Sequence, residues 1–262
     1  MSGSLPWDDA AVAPVLHARL AGLAGFAASD VLRGRLKRAA PLLARLPLDR
    51  ASIDQPDWAA LLDAVTVQET RMFRAAAQLA EFRAQVLPGL AARGELALVS
   101  AGCATGEEAW TLAILGAGSG VTWRVEGLDL CRPALAAAAA ARYRLGPPDA
   151  LREVPAADRA MLEVAGDWFS PLPALRPGVG FRRANLLDPA LAAGAADAIL
   201  CRNVLIYMTE QARLAVLRRL VTALRPGGAL LLGPTDRPPR GIGLVPWSRD
   251  LVGIWRREVG NG

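Results

Sequence analysis

From Glu95 onward the sequence alternates between strand-length apolar runs and helical stretches, and this rhythm restricts the fold more than anything else in the chain. LALVSAG (96–102) reads as a buried strand and GEEAWTLAILG (106–116) as a helix. TWRVEGLD (122–129) is a second strand, and RPALAAAAAARYRLG (132–146) a second helix with Pro133 near its start. Helix propensity alone accounts for its alanine run. VGFRRANLLD (179–188) and AADAILCRN (195–203) read as further strands. TEQARLAVLRRLVTAL (209–224) is an amphipathic helix capped by Thr209 and stopped by RPGG. ALLLG (229–233) and LVGIWRRE (251–258) complete the series. Such alternation implies an α/β fold, a largely parallel sheet covered on both faces. Ligands in these sheets bind at the carboxyl ends of the strands.

The first part, to about Phe73, carries no strand signal. AAVAPVLHARLAGLAGF (10–26) and DVLRGRLKRAAPLLARL (30–46) place apolar residues at helical spacing, with arginines between. Pro47 and DRASIDQPD (49–57) break the pattern, and Asp57 is the expected N-cap of a further helix. This predicts a small all-helical domain and linker over 1–74, followed by the α/β domain over 75–262. Residues 146–180, rich in proline and irregular, read as an inserted subdomain. Arg33, Arg35, Lys37 and Arg38 are either a solvated helix face or a docking face for an acidic partner.

Composition narrows the chemistry. The formal charge of +5 over 262 residues comes from scattered arginines without a block of like charge, so the surface is mildly basic and not a nucleic-acid footprint. Cys103, Cys131 and Cys201 form no CxxC pair and His17 is the sole histidine, which excludes the common zinc arrangements and a Ser-His or Cys-His pair in the α/β domain. No metal is expected. Scattered cysteines, the lack of a charged-then-apolar leader and the lack of a membrane-length apolar run point to the cytoplasm.

The loop SAGCATGEE (100–108) joins the first strand to its helix. Gly102 and Gly106 let the backbone turn and approach a ligand, and the helix start offers unpaired N–H groups. It is not a full GxGxxG, since Ala104 stands where a glycine would be. Asp129 ends the second strand, where an acid either accepts hydrogen bonds from ribose hydroxyls or caps the following helix. The loop lacks the Lys-Ser/Thr of a P-loop, and Glu107 and Glu108 would repel a pyrophosphate. Carboxylates suit a cationic ligand such as S-adenosylmethionine.

Four segments, QETRMFR (68–74), SAGCATGEEAW (100–110), ANLLD (184–188) and CRNVLIYM (201–208), then resemble the CheR family of S-adenosylmethionine-dependent methyltransferases, which esterify glutamates of chemotaxis receptors. RPGGALLLGPTD (225–236) adds a weaker match. The resemblance implies a Rossmann-like class I methyltransferase domain, S-adenosyl-L-methionine as donor and S-adenosyl-L-homocysteine as product. It implies that Gln68, Thr70 and Arg74 contact the donor from the linker, with Gly102 in the glycine loop. Glu107 would bind the donor's methionine end and Asp129 its ribose. Asn185 and Leu186 would flank the adenine, and Asn203 and Val204 would line the site. Tyr207, Arg202 and Arg74 would lie near the reacting methyl group and the acceptor. The chain departs from the family pattern at Gln68, usually Asn, at Ala104, Ala109 and Trp110, and at Pro234–Asp236, usually His-Ser-Glu.

The implied reaction is methyl transfer to glutamate side chains of a chemoreceptor-like, membrane-associated protein, with no nucleic-acid partner; the sequence does not fix the oligomeric state, with a monomer favoured. Glutamate is ionised at neutral pH, so the nucleophile needs no general base. A methyltransferase with another acceptor, a donor-binding scaffold that has lost catalysis, and a dinucleotide-dependent oxidoreductase are the alternatives.

Overall fold

A computed structural model describes residues 12–147 and 149–259. The first eleven residues of the expected helical domain, Pro148 of the expected insert and the last three residues lie outside the described residues.

The chain begins with four helices, α1 (Val12–Ala24), α2 (Asp30–Arg38), α3 (Ala40–Leu43) and α4 (Pro56–Val65). Leu16, Leu20, Leu32, Leu36, Trp58, Leu61 and Leu62 are buried together and give these helices a core of their own. The Ser29 hydroxyl accepts from the Leu32 amide and starts α2. The cap of α4 is Gln55 rather than Asp57: its side chain accepts from the Trp58 amide, and Pro56 occupies the first helical position. Proline there removes an amide that would have lacked a partner and moves the helix start two residues forward.

A second helical stretch, α5 (Ala76–Glu81), a π-turn (Phe82–Val86) and α6 (Leu87–Ala91), leads into the sheet. The strands are β1 (Glu95–Ala101), β2 (Thr122–Asp129), β6 (Val179–Arg183), β7 (Ala196–Cys201), β8 (Leu224–Leu232), β9 (Leu244–Pro246) and β10 (Ile254–Arg257). They are ordered β6-β2-β1-β7-β8-β10-β9. The first five run parallel, β10 pairs antiparallel with β8, and β9 pairs antiparallel with β10. Successive side chains of a strand face opposite ways. Leu96, Leu98, Leu200 and Leu231 therefore join one core with α7 (Glu107–Ala117), while Val99, Ile199, Cys201 and Leu230 join the other with α9 (Glu210–Ala223). This is the Rossmann-like class I architecture, and Thr209 caps α9 through the Ala212 amide.

Helix α8 (Arg132–Ala140) ends earlier than its sequence suggests, because Ala141 turns left-handed at φ 51°. The chain then builds a small sheet, ordered β3-β5-β4, from β3 (Tyr143–Arg144), β4 (Leu162–Ala165) and β5 (Trp168–Pro171). Tyr143, just ahead of the expected insert, pairs with Phe169 in register and lies near its ring.

Candidate active site

The strand order reverses beside β1: the chain steps from β1 to β2 to β6, then crosses back to β7 on the other side. A crevice opens at the carboxyl ends where this happens. It holds a cavity with walls from the glycine loop, the ends of β2, β6 and β7, the linker after α4 and the end of α1.

The glycine loop takes its shape from close packing. Gly102 has φ +83°, and a Cβ there would stand 2.4 Å from Val204 Cγ2. Gly106 has φ +94°, and its Cβ would stand 2.6 Å from Ala138 Cβ of α8. The small side chains of α8 therefore admit the loop, a reason for the alanine run beyond propensity. The Asp129 carboxylate stitches the loop to β2: Oδ2 accepts from the Ala104 amide and Oδ1 from the Cys131 amide, each at 2.8 Å. A carboxylate oxygen has two lone pairs, so each keeps acceptor capacity toward the cavity. Burial pushes the Asp129 carboxyl up, against the pull of the Cys131, Ala104 and Leu130 amides and of Gln68.

The linker closes the cavity from above. Met72 and Phe73 are buried as anchors, and the Phe73 amide donates to Thr111 Oγ1 of α7 at 3.0 Å. Gln68, Thr70 and Arg74 consequently face inward. The Arg74 guanidinium folds back on the Glu69 carbonyl at 2.7 Å. Gln68 Oε1 is buried without a hydrogen-bond partner among the described residues, and its side chain adjoins Asp129. An orphaned buried acceptor beside a carboxylate with spare lone pairs fits a ligand that brings its own donors, as a ribose or an ammonium does.

Of the expected site residues, Gln68, Thr70, Arg74, Gly102, Asp129, Asn185, Leu186, Arg202, Asn203, Val204 and Tyr207 line this cavity. Glu107, expected among them, is not one of the lining residues. Its carboxylate accepts from Thr105 Oγ1 at 2.7 Å on the side facing the insert, where burial pushes its pKa up. Glu108 lines the cavity in its place. Glu108 Oε1 accepts from Ser100 Oγ at 2.7 Å and Oε2 from Arg202 Nε at 2.8 Å. Helix α7 is buried over Glu108–Gly116, so no polar face marked which acid pointed in. Arg202 is also differently employed than expected. Its Nε and Nη1 are turned into the protein, which leaves Arg74 as the freer guanidinium. Asn185 does turn-forming work at the rim: Oδ1 accepts from the Leu187 amide, and Nδ2 donates to the Leu23 carbonyl of α1 at 2.5 Å. Ala24, Phe26, Thr66 and Val67 enter the wall from the helical domain without any local motif. The tertiary pairing of Phe26 with Met208, with backbone bonds from Ala27 to Tyr207 and from Thr209 to Gly25, brings that end of α1 to the site.

The family model described as "CheR methyltransferase, SAM binding domain" matches residues 68–241. A "Probable biofilm formation methyltransferase WspC" of Pseudomonas aeruginosa is 36% identical over 187 residues, covering 68% of this chain and 43% of its own length. A "Chemotaxis protein methyltransferase" of Listeria innocua is 32% identical over 177 residues, covering 66% of each chain. "Chemotaxis protein methyltransferase 1" of Pseudomonas aeruginosa is 33% identical, covering 67% of this chain and 68% of its own. The chain thus spans less than half of the first relative and about two thirds of the others.

Proposed function

The chain belongs to the CheR methyltransferase family, and we propose that it transfers a methyl group from S-adenosyl-L-methionine to glutamate carboxylates of a chemoreceptor-like protein. The observation that carries this reading is the convergence of the linker residues Gln68, Thr70 and Arg74 with Gly102, Asp129, Asn203 and Tyr207 on one cavity. When bound, the donor supplies a methyl carbon made electrophilic by a sulfonium. Asp129 holds the ribose hydroxyls with its free lone pairs, and Glu108, in place of Glu107, holds the ammonium. Leu186 and Asn185 border the adenine. Arg74 orients the acceptor carboxylate, and Tyr207, which lines the same cavity, fixes its approach. The acceptor oxygen is already ionised, so these residues align it and exclude water without removing a proton. The relatives named as chemotaxis methyltransferases support a receptor as acceptor, and a cytoplasmic, monomeric enzyme fits that role. Among the described residues no helix is long and apolar enough to cross a membrane.

The test is transfer of labelled methyl into proteins of the source cell, followed by mild alkali. Label released as methanol identifies a carboxyl methyl ester, and the labelled protein identifies the acceptor. Label stable to alkali contradicts the glutamate assignment. Donor binding without any transfer, with the acceptor present, favours the scaffold.

A further inference from the structure

We propose that Arg202 is a positioning residue: it fixes the linker turn that carries Arg74 and acts on the reaction through Arg74, without touching the acceptor. The proposal deepens the donor-site reading above and rests on it for the role of Arg74. The Arg202 side chain is 3% exposed and its partner Glu108 10% exposed, so both charges are buried. Nε of the guanidinium bonds Glu108 Oε2 at 2.8 Å, and Ser100 holds the other carboxylate oxygen at 2.7 Å. The same planar fork sends Nη1 to the Arg74 carbonyl at 2.5 Å and to Gln78 Oε1 at 3.4 Å. Gln78 is itself held, its amide donating to the Leu232 and Val252 carbonyls at 3.0 and 3.2 Å. One side chain therefore ties the start of α7, the end of β7 and the linker together.

The carbonyl that Arg202 takes is the significant one. Arg74 lies between Phe73 at φ 52° and Ala75 at φ 60°, two non-glycine residues in the left-handed region. That conformation costs free energy in any residue with a Cβ and persists only where its surroundings over-determine it. Here the Phe73 amide is held by Thr111, the Ala76 amide by Glu153, and the peptide between them by Arg202. Strain of this kind collects at functional sites. Its result here is that the Arg74 guanidinium points along the linker to the Glu69 carbonyl, at the cavity wall. A lysine at 202 keeps the charge beside Glu108 but lacks the fork that bridges two acceptors.

The test uses Arg202→Lys, with Glu108→Gln as the second variant, since it loosens the same guanidinium by removing the charge that fixes it. In the unliganded protein, hydrogen exchange of the 72–76 amides is expected to quicken about tenfold, with β1 and β7 amides unchanged. In a double-mutant cycle, Arg202→Lys is expected to lower kcat by about tenfold or more while S-adenosylhomocysteine affinity stays within about threefold. In an Arg74→Ala background it should lower kcat by less than about twofold further. Unchanged linker exchange overturns the proposal, as does an equal loss of kcat in both backgrounds, which a purely structural residue would give. Should the wild type bind S-adenosylhomocysteine yet methylate no protein, the function reading fails and the exchange result still decides the positioning claim.

Discussion

Burial pushes the Asp129 carboxyl above the ordinary aspartate range, and amide hydrogen bonds from Cys131, Ala104 and Leu130 only partly draw it back. The folded carboxyl then keeps its proton to higher pH than the unfolded one. Between the two pKa values the native state binds more protons, so this residue favours folding as pH falls and opposes it as pH rises. Ribose hydroxyls need the ionised form as acceptor, so donor affinity should move the opposite way. Titration with S-adenosylhomocysteine from acidic pH upward should show affinity rising with pH in the wild type, and a weak, flat profile in Asp129→Asn. A flat wild-type profile would remove Asp129 from the donor contact. Gly102 offers a second check. An alanine there meets Val204 at 2.4 Å in a left-handed backbone, so Gly102→Ala should cost about 1–3 kcal/mol in urea unfolding and weaken donor binding. The sequence marked Gly102 and Asp129 because loop chemistry and strand ends are local signals. It could not separate Glu107 from Glu108, because the choice depends on Ser100 and Arg202, which reach Glu108 from β1 and from the end of β7.

At the scale of elements, parallel strands and their helices were legible because long apolar runs repeat at strand and helix periods. The strands within the insert were not, since β3 has two residues and β4 and β5 four each, too short for a period to emerge. The helical stretch over 76–91 also escaped notice. It carries Pro88, tolerated because it falls at the first turn of α6 after a π-turn has shifted the hydrogen bonding. The loop–α8 contact yields a prediction: Ala138→Leu drives a side chain into the space where Gly106 packs. It should lower stability by about 1–3 kcal/mol, read by thermal unfolding, with donor affinity reduced as well. The cap of α9 gives a cleaner one, because Thr209 stands outside the cavity wall. Thr209→Ala should cost about 1 kcal/mol in urea unfolding and leave donor affinity unchanged.

Across the whole molecule, the N-terminal helices have their own core and are fastened to the sheet by several polar contacts. Asp63 of α4 caps α8 through the Arg132 amide at 2.9 Å and pairs with its guanidinium at 2.8 Å. Arg183 at the end of β6 reaches Asp54 at 2.9 Å and the Ile53 carbonyl at 2.5 Å. Backbone bonds from Ala27 to Tyr207 and from Thr209 to Gly25 complete the seam. Since Thr66, Val67 and Gln68 continue directly from α4, loosening this seam should loosen the cavity wall. Asp63→Ala is expected to leave the circular dichroism of the helices intact while weakening donor binding by about threefold to tenfold. Unchanged affinity would show that the linker is held by Met72 and Phe73 alone. None of these contacts has a sequence signature, because each joins residues far apart in the chain.

Every functional assignment depends on the cavity being the donor site. The most direct measurement is calorimetric titration of S-adenosylhomocysteine into the wild type and Asp129→Ala, both shown to be folded. One site per chain is expected in the wild type, with affinity at least about tenfold weaker in the variant, since the buried carboxylate proposed to hold the ribose is lost. Equal affinity in the two proteins, or no binding to the folded wild type, would contradict the donor-site assignment.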